Sequence, residues 1–127
     1  MSETKDLAKA LGLRILHVGV NAQGAEDADR LAALFQEKLG LQPEDKGLSI
    51  FSSGLIEIMK EDGPGTKGHI ALGCDCLEEA VACLAQNGVG VDEATTRKYD
   101  PDGSLRVAYL QGEYAGFAVH LKEYPKA

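Results

Sequence analysis

The chain has 127 residues, 44% of them hydrophobic and 26% charged, which are the proportions of a single globular domain able to bury a core. Its net charge of −7 weighs against nucleic acid and against an anionic membrane surface, because both need clustered Lys and Arg. No apolar run approaches the roughly 18–20 residues of a membrane span, and the first six residues lack a signal-peptide pattern, so a cytoplasmic protein is expected.

Residues 1–12 read as an N-terminal extension, helical through the Leu7/Leu11 spacing. Residues 13–20 alternate as a strand, with Leu16, Val18 and Val20 on one face and Ile15, His17 and Gly19 on the other. A helix follows from about 24 to 38, with Ala28, Leu31, Ala32, Phe35 and Leu39 as its apolar stripe and Gly40 placed to end it. Three short strands are predicted over 41–45, 48–52 and 55–60, the first an edge because of Pro43. Residues 61–67 have the composition of a linker.

The second half repeats the order. Residues 69–74 are a strand, and Asp75-Cys76-Leu77-Glu78 fits a capping box. Leu77, Ala80, Val81 and Leu84 form the buried stripe of the next helix, closed by Gly88. Strands over 91–99, 104–110 and 116–123 complete the chain, with Asp100-Pro101-Asp102-Gly103 as a turn. Cys74, Cys76 and Cys83 fit a reducing compartment, and a zinc site built on them is set aside because there is no second Cys pair.

The expected fold is therefore α+β. Two βαβββ modules, 13–60 and 68–124, form a curved, open-barrel mixed sheet with helices outside, and together make one domain over 13–124. Four ionisable residues stand out within it. His17 lies between Leu16 and Val18, Glu57 between Ile56 and Ile58, and His120 between Val119 and Leu121, while His69 follows Gly68 and precedes Ile70. Strand neighbours point to opposite faces, so aliphatic flanks turned to the helices turn these four groups the other way. Each alone reads as a half-exposed or hydrogen-bonded side chain. Together they read as ligands, because one divalent cation satisfies a carboxylate and three imidazoles that would be costly to bury unpaired.

The motifs Ile15-Leu16-His17-Val18-Gly19-Val20, Leu55-Ile56-Glu57-Ile58, Gly68-His69-Ile70-Ala71-Leu72 and Gly116-Phe117-Ala118-Val119-His120-Leu121 resemble the vicinal oxygen chelate superfamily, the glyoxalase/bleomycin-resistance fold. The resemblance implies metal ligands at His17, Glu57, His69 and His120, with catalytic roles for Glu57 and His120. It implies a divalent metal, zinc first, then nickel, cobalt, manganese or iron. It also implies a homodimer. The family's usual ligand on the last strand is Glu, and here it is His120. Segments around 50–60, 65–73 and 98–100 further resemble the glyoxalase-like domain appended to some 2-keto-3-deoxy-phosphogluconate / 4-hydroxy-2-oxoglutarate aldolases. The aldolase reaction itself is not expected, since the chain is too short for a (β/α)8 barrel.

The function expected from these features is a metal-dependent lyase or isomerase acting on a small 2-oxo or 2-hydroxy acid through an enediolate-like intermediate. The alternative is a non-catalytic sugar-acid binding or regulatory domain associated with that aldolase. Dioxygenase chemistry is set aside because a fourth ligand would crowd the oxygen site. Arg97, Lys98, Tyr99 and Lys122 are the candidate contacts to a small anionic metabolite, and Phe51, Met59 and Phe117 are assigned to the core.

Overall fold

In a computed structural model, residues 7–92 and 107–124 are described. Among the described residues the fold is α+β, with a seven-stranded mixed sheet and three helices. In chain order the elements are α1 (Leu7–Leu11), β1 (Arg14–Asn21), α2 (Ala25–Leu39), β2 (Pro43–Asp45), β3 (Ser49–Ser52), β4 (Ile56–Met59), β5 (Gly68–Cys74), α3 (Leu77–Gln86), β6 (Val107–Tyr109) and β7 (Phe117–Glu123). The strand order is β2-β3-β4-β1-β5-β7-β6, so β2 is an edge, as Pro43 requires. No helix among the described residues is long and apolar enough to cross a membrane. The predicted strand over 91–99 lies mostly outside the described residues; of its described part, Val91 bridges Leu110 and the Asp92 N–H donates to Tyr109 O at 2.7 Å.

The chain divides into two compact units. The first comprises Leu16–Ile70 and Glu113–Ala118. The second comprises Met1–Ile15, Ala71–Gly112 and Val119–Ala127.

In the first unit β1 and β4 are parallel, and β3 is antiparallel to both β2 and β4. The register sorts side chains into two rows. Val20 pairs with Ile58 and Ile58 with Ile50, and this aliphatic row packs with Ala22, Ala28 and Ala32, joined by Leu31 and Phe35 of α2. Gly19 pairs with Glu57 and Glu57 with Phe51, and this row occupies the opposite face. Alanine at the buried helix positions lets α2 lie close over the strands. Gly40 ends α2 in the left-handed conformation (φ 74°), its N–H donating to Gln36 O. Leu39, expected in the apolar stripe, is instead exposed, because it falls in the last turn beyond the strands' reach.

The second unit has the larger core. Leu11, Cys74, Leu77, Ala80, Leu84, Ala108 and Leu121 are buried together, so α3 covers its strands with leucines. The predicted capping box does not form. Cys76 occupies the N-cap without a side-chain bond, and the Leu77 N–H donates to Glu123 Oε1 at 2.8 Å instead. A carboxylate at a helix N-terminus complements the helix dipole wherever it comes from in sequence. Burial, with Glu123 and Asp75 close by, pushes the Cys74 thiol up to about 11.

Candidate metal centre

The first unit gathers three of the four sequence candidates. His17 on β1, Glu57 on β4 and His69 on β5 each offer one donor atom, and the three donors lie within 4.8 Å of one another. His69 Nε2 is 3.1 Å from Glu57 Oε1 and 3.3 Å from His17 Nε2, and His17 Nε2 is 3.4 Å from Glu57 Oε1. These atoms form a nearly equilateral triangle. His69 is 3% exposed, and His17 and Glu57 are 16% and 18% exposed at the side chain, so the triangle is largely shielded from solvent.

The local sequence explains each placement. His17 and Glu57 alternate with the aliphatic row, which packs on α2 and turns them away from it. Gly19, on the same face as His17, makes room for His69: a Cβ at this position would overlap the imidazole ring. Phe51 meets His17 edge-on, with centroids 5.3 Å apart. This corrects the assignment of Phe51 to the core, because the register puts it beside Glu57 on the donor face.

Burial alone would raise the pKa of Glu57. Hydrogen bonds with His17, His69 and Ser49 outweigh it and hold the carboxyl well below the usual carboxylate range. Glu57 is therefore ionised at neutral pH. Its second oxygen, Oε2, accepts a 2.7 Å hydrogen bond from Ser49 Oγ, and Ser49 is 3% exposed.

The residues fit a divalent ion. Tetrahedral ligands about 2.0–2.1 Å from zinc stand about 3.3 Å from one another, which is the edge of the triangle seen here. Two imidazole nitrogens and one ionised carboxylate oxygen are the donor types that zinc and neighbouring transition metals take.

His120 belongs to the second unit, where it is 6% exposed and meets Tyr109 edge to face at 4.8 Å. Among the described residues the ligand group numbers three, and His120 is not one of them. Lys122 is exposed on β7, opposite Val107. Arg97, Lys98 and Tyr99 lie outside the described residues.

Sequence reasoning missed Gly19, Ser49 and Asn21. The Asn21 side chain accepts from Gly63 N and donates to Gly65 O, at 3.1 and 3.0 Å, and the Asn21 N–H donates to Lys67 O at 3.0 Å. The segment predicted as a linker is thereby fastened to β1, just before His69. Its composition signalled a turn-rich stretch, but nothing local signalled the fastening.

This fold is shared with enzymes of known name. A structure of methylmalonyl-CoA epimerase matches with a TM-score of 0.57 at 19% identity, covering 88% of this chain and 95% of that one. The epimerase from Mycobacterium tuberculosis matches with a TM-score of 0.56 at 16% identity, covering 88% of each chain. A hypothetical protein from Bacillus halodurans C-125 matches with a TM-score of 0.61 at 18% identity, covering 91% of this chain and 96% of that one. The likeness is one of fold, and the α+β mixed sheet expected from the sequence is the one observed. No protein-family model and no curated protein sequence matches the chain.

Proposed function

We propose that the protein is a divalent-metal-dependent isomerase acting next to a carbonyl of a small anionic metabolite. The substrate class is a 2-oxo or 2-hydroxy acid or its thioester. The observation that carries the reading is the triangle of His17 Nε2, Glu57 Oε1 and His69 Nε2, with edges of 3.1–3.4 Å. The shared fold adds support, because one such structure is an epimerase in complex with methylmalonyl-CoA.

A divalent ion bound here would supply Lewis acidity, stabilising negative charge on a carbonyl oxygen as the neighbouring carbon loses its proton. The side chains supply the setting for that chemistry. His69 and His17 would hold the ion through Nε2, and Glu57 would add the charge that offsets its own. Phe51 packs edge-on against His17 and helps hold its ring in place. Glu57, held ionised, serves better as a ligand than as a base. Proton transfer is assigned to His120 on the strength of the sequence resemblance, and substrate contact to Arg97, Lys98, Tyr99 and Lys122 because such side chains can pair with a carboxylate or phosphate. A homodimer belongs to the same reading, and light scattering checks it.

The test is metal analysis of untagged protein, wild type beside a His17→Ala/His69→Ala double variant. The wild type is expected to hold one ion per chain and the variant none; equal content in both ends the proposal. Solvent-deuterium exchange into 2-oxo acids, 2-hydroxy acids and acyl-CoA thioesters then identifies the substrate. Metal-loaded protein that binds such acids without exchange would favour the sugar-acid binding role over catalysis.

The count of three donors favours one second reading. Two histidines and a carboxylate with open positions is also the donor set of ferrous oxygenases, and the crowding argument against it required a fourth ligand in the group. Substrate-dependent oxygen uptake by Fe(II)-loaded protein, and its absence with Zn(II), would select that reading.

A further inference from the structure

We propose that Ser49 is a positioning residue for the candidate ion: its hydroxyl holds Glu57 so that one carboxylate oxygen, Oε1, faces the two histidines. The proposal rests on the metal reading above and adds a constraint to it. Ser49 stands two residues before Phe51 on β3, and Phe51 pairs directly with Glu57, so Ser49 is the diagonal cross-strand neighbour on the donor face. It is 3% exposed, and a buried hydroxyl needs a partner. Its partner is Glu57 Oε2, at 2.7 Å, while Oε1 lies 3.1 Å from His69 Nε2 and 3.4 Å from His17 Nε2.

The two oxygens of this carboxylate therefore have different tasks. The last torsion of a glutamate is broad, so an unassisted carboxylate can turn either oxygen, or both, toward a cation. Donation from Ser49 fixes that torsion. The main chain at Ser49 is itself anchored, because its carbonyl accepts from the Lys46 N–H at 2.8 Å. A rigid strand thus supports the hydroxyl, the hydroxyl supports the carboxylate, and one oxygen remains to complete the triangle. Outer partners of this kind commonly contribute about ten- to hundredfold to metal affinity.

Cobalt(II) titration of untagged, metal-free protein tests this, read by visible absorption, whose shape follows coordination number. Wild type is expected to develop visible bands. Ser49→Ala is expected to bind Co(II) about ten- to hundredfold more weakly, with an altered band shape, and Ser49→Thr to restore both. If Ser49→Ala matches the wild type in affinity and band shape, Ser49 has no positioning role. Should circular dichroism show that Ser49→Ala does not fold, Ser49→Val, which has the shape of threonine without its hydroxyl, replaces it. A loss of affinity against Ser49→Thr then supports the proposal, and wild-type affinity overturns it. Wild-type protein that takes up no Co(II) overturns the metal reading itself, and this proposal with it.

Discussion

His69 in the first unit and His120 in the second are both buried strand histidines, and their surroundings differ. His69 lies over Gly19, which leaves room for the ring, and its Nε2 is 3.1 Å from Glu57 Oε1 and 3.3 Å from His17 Nε2. His120 meets the Tyr109 ring edge to face at 4.8 Å. The helix sides of the two units differ as well: α2 buries alanines in one, and α3 buries leucines in the other. A repeated strand pattern thus gathers a group of three donors in the first unit, and among the described residues no such group in the second. A histidine becomes a candidate ligand through what faces it across the sheet, and its own sequence flanks do not decide this.

The strongest way to break this comparison is to remove each histidine in turn. His69→Ala is expected to abolish metal binding, since it deletes one corner of the triangle and leaves two donors. His120→Ala leaves all three corners and should retain measurable binding in the same titration. Complete loss in both variants would show that the group of three is not sufficient.

Gly19→Ala tests the vacancy that seats His69. The added methyl group overlaps the imidazole, so the ring must move. Overpacking of this kind costs about 1–3 kcal/mol, and metal affinity should fall with it. Denaturant unfolding and the Co(II) titration read the two effects separately. Unchanged affinity would mean that His69 is not held by this contact.

The second unit offers a smaller effect. Glu123→Ala removes the acceptor for the Leu77 N–H and should cost about 1 kcal/mol of stability, in line with the loss of a helix cap. Glu78→Ala, at the position of the predicted capping box, should cost much less. Urea unfolding of the two variants decides between the cap observed in the fold and the cap expected from the motif.

The mildest test uses Cys74. Its folded pKa of about 11 stands above the ordinary 9.0, so the neutral thiol is the form the folded core favours. That contribution to stability is complete below about pH 9 and is lost as pH rises toward 11. The alkaline slope of stability should therefore be shallower in Cys74→Ala. In native protein at pH 8 a thiol reagent should label exposed Cys76 first and reach Cys74 only on unfolding.

Alternation by itself determined the strands and the face on which His17, Glu57 and His69 stand, because a period of two is a local property of the backbone. Apolar spacing and end signals located α2 and α3 for the same reason. Tertiary structure alone decided which of those side chains meet. Gly19 beneath His69, Ser49 behind Glu57, Phe51 beside His17 and Glu123 capping α3 are all contacts between strands or across a long stretch of sequence. Such contacts depend on strand order and register, which no local pattern encodes, so three donors on a common face became a site only once the fold had set their spacing.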